Sequence, residues 1–373
     1  TALVANGLCV QPGGQTLIHL VRDYSHAELR LALSALRDDR RSVLVIRSVD
    51  DTVLVGPLFR PGRPGCPECL VSRVSAHQKL GRFQDVANGR IMRLRDGHAA
   101  LPSQLMAATG LLATEISRYV ASGALEDLHN MIKQRDIATG CETRHTVIPV
   151  PDCAVCGTGS SKTMPPPFRL EQRKVGFSAD GGHRFLPPEK TVSTLKRLIS
   201  PLSGIVSHFE RVEDPEDDAG LVHCYVADHA FTPMNGRLDR LREGREGRSG
   251  GKGRSDIQAQ ASALSEGVER YSGVFQKSDP TINARAEDLD GPAILPNSIQ
   301  NFSARQIKNR SMEEAAAGGA GWVAEEFDAG AAIDWTPLWS LTEKRVKYLP
   351  TANCFYGYGL QRDLHFARAD SNG

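Results

Sequence analysis

Hydrophobic positions follow three different rhythms along this chain. Residues 42–47 and 51–56 are short apolar runs separated by Arg-Ser-Val-Asp, the pattern of two buried strands joined by a turn. Ahead of them, residues 26–36 place Leu29, Leu31, Leu33 and Leu36 at partly helical spacing. Residues 103–120 are apolar on most sides, which predicts a core helix, although Gly110 within it costs about 1 kcal/mol relative to alanine. Strands alternating with helices predict an α/β domain.

The rhythm breaks after Cys156. Residues 157–173 collect Gly, Ser and the run Pro165-Pro166-Pro167, none suited to a helix or a central strand. The reading is therefore a domain over residues 1–160, a linker over 161–174 and a second α/β domain over 175–373. In the second domain residues 221–226 are strand-like, 242–254 read as a glycine-rich basic loop, and a helix follows directly. Residues 311–321 are Ala/Gly-rich and read as a surface loop. No internal repeat is visible.

The length of 373 residues suits two domains, each with a core of its own. A formal charge of +1 excludes a strongly basic nucleic-acid binder, and no apolar run reaches the ~18 residues of a membrane span. No charged-then-apolar signal pattern follows Thr1, so the expectation is a cytoplasmic protein. Its eight cysteines are too sparse for a secreted disulfide scaffold. Four of them form two Cys-x-x-Cys pairs, Cys66/Cys69 and Cys153/Cys156. Two such knuckles supply the four thiolates of a closed, structural Zn²⁺ site, which would staple distant parts of one domain together. The competing reading is two unrelated pairs of buried or redox-active cysteines.

The richest stretch runs from Arg248 to Ser272. Ser255 followed by Gln258 has the spacing of a capping box. Beyond it Ile257, Ala261, Leu264, Val268 and Tyr271 share one helix face, with Ser262, Glu266 and Glu269 roughly opposite. Two carboxylates at i and i+3 repel unless a cation joins them, and Mg²⁺ takes one or two carboxylates together with phosphate oxygens. Gly250, Gly251 and Gly253 around Lys252 could bring backbone N–H groups and an ammonium to a phosphate, but the spacing is not that of a Walker A loop. On composition alone, a solvated acidic helix face beside a basic loop is the plainer reading.

Ser249-Gly-Gly-Lys-Gly253, then Ser262-x3-Glu266-x2-Glu269-Arg270-Tyr271-Ser272, resembles the first half of a YcaO domain. Residues 179–184 and 198–204 are similar to its opening, and residues 334–340, 348–351 and 368–373 to its later segments. Residues 55–59 and 64–69 are similar to the zinc-bearing domain, related to ubiquitin-activating (E1) enzymes, that is fused to YcaO in cyanobactin-type heterocyclases. The resemblance implies an E1-like α/β domain followed by a YcaO α/β domain. Its activity would be an azoline-forming cyclodehydratase, dependent on ATP and Mg²⁺, converting Cys, Ser or Thr of a ribosomal precursor peptide to thiazoline or oxazoline. It also implies that Glu266 and Glu269 hold Mg²⁺, that Ser262, Arg270 and Lys252 face the nucleotide, and that the first domain scaffolds and docks the peptide. Partners implied are the precursor peptide, a separate leader-binding protein, an azoline dehydrogenase and a second copy of the chain. The family's second Glu-x-x-Glu-Arg segment and proline-rich tail would follow Gly373, so the chain reads as truncated within its YcaO domain. The first domain has no Gly-x-Gly-x-x-Gly fingerprint and is not expected to bind nucleotide. A non-catalytic zinc scaffold presenting the peptide to another enzyme is the alternative.

Other polar residues carry weaker expectations. His183 reads as exposed, His223 and His229 as structural, and His145 as close to a knuckle whose shell is already full. Asp370, Ser371 and Asn372 reach the active site on resemblance alone.

Overall fold

The computed structural model describes residues 13–49, 52–77, 102–157, 164–178, 183–212, 221–229, 247–310, 323–355 and 358. These fall into two compact units. The first takes the described residues up to 157 with 188–229 and 247–264; the second takes the described parts of 164–187 and everything from 265 onward.

The first unit opens with β1 (Thr16–Val21), α1 (His26–Arg37), β2 (Ser42–Val49) and β3 (Thr52–Phe59). Helix α1 starts where Ser25, in extended backbone, accepts the Glu28 N–H on its Oγ, satisfying one orphan donor of the first turn. The next elements are α2 (Pro67–His77), α3 (Pro102–Ser122), a 3₁₀ turn (Ala124–Leu128), β4 (Met131–Asp136) and β5 (Glu142–Thr146). The five strands form one mixed sheet in the order β1-β2-β3-β4-β5, with β1 and β2 parallel and the rest antiparallel. Both faces are covered, which explains the continuous apolar runs. Val43 and Val45 face a core containing Leu29, Leu70 and the cysteines, while Leu44 and Ile46 face another with Leu112 and Ile116 of α3. Strands β2 and β3 run further than expected, absorbing part of the anticipated turn.

Burial around α3 includes charge. Glu115 is 5% exposed and Lys133 4%; their side chains meet at 2.8 Å, with Arg118 at 2.6 Å and Arg135 at 3.1 Å also on Glu115 and Glu142 at 2.8 Å on Lys133.

The same unit continues with α4 (Pro188–Leu195) and a second sheet, β6 (Val206–Val212), β7 (His223–His229) and β8 (Arg248–Gly253), antiparallel throughout. The turn at 200–204 is clasped by the first sheet's layer. Ser200 Oγ lies 2.9 Å from His145 Nδ1, Ser203 Oγ donates to Thr146 O, and His77 Nε2 sits 2.8 Å from Gly204 O. Leu202 packs into the core that holds Cys66 and Cys69. Helix α5 (Asp256–Ser272) carries the division between the units, between Leu264 and Ser265.

The second unit contains β9 (Ile282–Ala284), α6 (Pro296–Gln300), α7 (Ala304–Lys308), β10 (Ile333–Ser340), β11 (Arg345–Pro350) and α8 (Thr351–Cys354). Its antiparallel sheet, ordered β11-β10-β9, surrounds fully buried Trp335 and Tyr348. Residues 164–174, within the expected linker, carry no helix or strand. Among the described residues no helix is long and apolar enough to cross a membrane. Residues 179–182, 311–321 and 368–373, with Asp370, Ser371 and Asn372, lie outside the described residues.

Candidate active site and metal centre

The four predicted cysteine ligands come together in the first unit. Cys66 immediately precedes α2, its carbonyl accepting the Leu70 N–H of the first turn, and Cys69 lies within that turn. Cys153 and Cys156 come from a tight turn closed by Gly157 N–H on Cys153 O; a Cβ at Gly157 would meet that same carbonyl at 2.5 Å. All four Sγ atoms lie within 4.8 Å of one another. The separations are 3.9 Å for Cys66–Cys69, 3.5 Å for Cys66–Cys153 and 3.4 Å for Cys69–Cys156. A tetrahedron of Zn–S bonds has edges of about 3.8 Å, within about 0.4 Å of these separations, so the donor set suits such an ion. Val150 N–H donates to Cys69 Sγ at 3.3 Å, and Gly65 N–H to Cys156 Sγ. The Cys66 thiol donates to Cys69, which holds Cys69 down at about 5 and pushes Cys66 up. Burial raises Cys156 to about 12. Protons therefore have to leave this cluster when a cation enters.

The stretch expected to be a basic loop is a strand where it is described. Residues 248–253 form β8, paired residue by residue with β7 from Asp228↔Arg248 to His223↔Gly253. Strand parity then sorts its side chains. Ser249 and Gly251 are buried, while Arg248, Gly250 and Lys252 are exposed on the other face. Gly251 abuts α5 so closely that a Cβ there would lie 2.1 Å from Ala263 N and 2.4 Å from Ala259 O. Lys252, the expected phosphate contact, is thus on the side of β8 turned away from these α5 residues.

Helix α5 has the expected extent, but Ser255 and Gln258 do not close a capping box. Gln258 is 4% exposed and its Oε1 has no hydrogen-bond partner; a Cβ at Gly253 would press on its Cβ and Cγ. Tyr225 on β7 instead anchors the first turn, its hydroxyl 2.9 Å from Asp256 Oδ1, with Gln260 Nε2 donating to the other carboxylate oxygen at 2.5 Å. The predicted core residues Ala261 and Leu264 are buried, joined by Ala259 and Ala263, because the helix is enclosed on more than one side. Ser262 and Glu266 are half-buried and Glu269 is exposed, at successive turns of one helix. Arg270, expected to face a nucleotide, pairs with Glu266 one turn back at 2.8 Å.

His183 is exposed, and His229 is buried against Gly247. His223 is half-buried with Nδ1 4.0 Å from Asp256 Oδ1. His145, near the second knuckle in sequence, takes its hydrogen-bond partners elsewhere. It is 5% exposed between Gln134, Thr143 and Ser200, and burial lowers its pKa. Sequence spacing carried no signal for Tyr225, Ser200 or Asn130, whose partners lie far away along the chain.

From Gly250 to Gly373 the chain matches the model of the family described as YcaO cyclodehydratase, ATP- and Mg²⁺-binding. The glycine strand with the Ser262/Glu266/Glu269 helix stands at the beginning of the matched stretch. Over its full length the chain is similar to two solved structures. One is a heterocyclase in complex with substrate and cofactor, 33% identical, with a TM-score of 0.84, covering 100% of this chain and 50% of that one. The other is the heterocyclase TruD, 28% identical, with a TM-score of 0.71, covering 100% of this chain and 47% of that one. The chain therefore spans about half the length of the heterocyclases it matches. No curated protein sequence matches it.

Proposed function

We propose that this chain belongs to an ATP- and Mg²⁺-dependent peptide cyclodehydratase that converts Cys, Ser or Thr of a ribosomal precursor peptide to thiazolines or oxazolines. The observation that carries this reading is the placement of Ser262, Glu266 and Glu269 at successive turns of one helix within the stretch that matches the YcaO family. The full-length likeness to heterocyclases supports it. Glu266 and Glu269 would hold Mg²⁺, with Arg270 fixing the Glu266 carboxylate through the ion pair at 2.8 Å. Ser262 would orient the nucleotide, while Lys252, on the face of β8 turned away from α5, is left out of this set. Bound MgATP supplies the phosphoryl group that turns the former amide oxygen into a leaving group, and the protein's own work is positioning and charge stabilisation.

Cys66, Cys69, Cys153 and Cys156 would hold a structural Zn²⁺ in an E1-like scaffold over residues 1–160, joined by a linker at 161–174 to a YcaO domain from 175. The fit of the sulfur separations to a tetrahedron supports the metal. A cytoplasmic homodimer served by a leader-binding protein and an azoline dehydrogenase completes the reading.

The test is Glu266→Gln and Glu269→Gln in the complete protein, followed by mass spectrometry of a cysteine-containing precursor peptide incubated with ATP. Loss of ATP-dependent dehydration in both variants, with folding retained, is expected. Unchanged dehydration overturns the assignment of these residues. Peptide binding by the wild type without ATP turnover favours the scaffold reading.

A further inference from the structure

Asn130, between the 3₁₀ turn and β4, is a non-glycine residue in left-handed backbone at φ 53°. Four contacts fix it. Its N–H donates to Leu58 O at 3.4 Å, its carbonyl accepts Val147 N–H at 2.8 Å, and its Nδ2 donates to Pro64 O at 2.9 Å. Its Oδ1 is buried without a hydrogen-bond partner and lies against Gly65, where an added Cβ would be 2.1 Å away. Gly65 itself has φ +93°, which favours glycine. It comes directly before Cys66, and its N–H is turned to Cys156 Sγ. One side chain therefore grips the carbonyl on one side of Gly65 and packs on its Cα region. The peptide so held delivers an N–H to one cysteine and leads into another.

We infer that Asn130 is a positioning residue of the four-cysteine centre, holding the Pro64–Gly65–Cys66 knuckle so that Gly65 N–H meets Cys156 and Cys66 points at its three partners. The inference rests on the proposed metal at these cysteines. An unbonded, buried amide oxygen is unfavourable for folding alone, and left-handed backbone is a conformation asparagine accepts more readily than other residues with a side chain. The unbonded oxygen is accounted for if the residue serves the geometry of the knuckle. Groups that orient metal ligands from behind govern affinity at about 10–100-fold each.

The test uses Asn130→Gly in the full chain, since glycine accepts the left-handed backbone and removes only the clamp. Zinc content per chain and zinc affinity are measured by competition with a chromogenic chelator, and the Co²⁺-loaded protein is examined for its thiolate-to-metal and ligand-field bands. Wild type binding one metal, with the variant binding it 10–100-fold more weakly and with altered Co²⁺ bands, supports the inference. Unchanged affinity and spectrum in the variant overturn it while leaving the metal centre standing. Wild type that binds no metal overturns both. If Asn130→Gly does not fold, Asn130→Asp keeps the shape and the left-handed tolerance but cannot donate to Pro64, and the same measurements decide.

Discussion

Two adjacent glycines in β8 should respond oppositely to the same added methyl group. At Gly251 the new Cβ would lie 2.1 Å from Ala263 N, 2.4 Å from Ala259 O and 2.7 Å from Ala263 Cα. These are backbone atoms of α5, so no side chain can swing aside. Contact near 3.5 Å requires strand and helix to separate by about 1.4 Å at this point, enough to forfeit more than half of the dispersion energy across the seam. Ala227, Ala261, Ala263 and Leu264 share that packing. Overpacked cores typically lose about 1–3 kcal/mol, and a rigid backbone clash belongs at the upper end. At Gly250 the Cβ would meet nothing within 4 Å, and the backbone is not left-handed, so the change should be within about 1 kcal/mol and can stabilise through the unfolded chain. The expected gap between Gly251→Ala and Gly250→Ala is therefore about 3 kcal/mol. Because the chain forms two units, local hydrogen exchange in peptides covering 256–264 and 223–229 is a better measure than a single global midpoint. Faster exchange there in Gly251→Ala only is the expected outcome. Equal behaviour of the two variants, or wild-type protection in Gly251→Ala, refutes the proposed packing of β8 beneath α5.

Further outcomes follow from the same reasoning. Glu115→Ala should cost about 3–5 kcal/mol in urea unfolding, because Lys133, itself buried, loses one of its two carboxylate partners; a loss under 1 kcal/mol would contradict the burial of the pair. His145 has a folded pKa lowered by burial from 6.5, so the unfolded chain takes up its proton first as the pH falls. The stability it contributes is complete above 6.5 and drains away as pH drops from there toward the lowered value, whereas His145→Gln should lack that slope; parallel pH profiles of the two proteins would contradict it. Chelation should lower the thermal midpoint of the metal-loaded protein at neutral pH, with the difference shrinking in acid as thiols regain protons; an unchanged midpoint after verified metal removal would show that the cysteines do not need the ion.

What the sequence determined by itself was periodic or chemically paired. Apolar runs announced β2 and β3, apolar spacing announced α1, α3 and α5, and two Cys-x-x-Cys pairs announced one centre, because these signals depend on neighbours a few residues apart. The glycines of β8 hid their strand: glycine has no strand preference, and only pairing with β7 under a helix that tolerates no side chain makes residues 248–253 extended. Strand parity then decided that Lys252 faces away from that helix, which no count of basic residues could foresee. Gln258 had the spacing of a cap but is buried beside Gly253, and the helix start was given to Tyr225, 31 residues earlier than Asp256. His145 meets Ser200 across 55 residues, and Asn130 grips Pro64 across 66. Spacing along a chain fixes which face a residue shares with its near neighbours. Which distant group completes its hydrogen bonds is settled only when separate elements pack together.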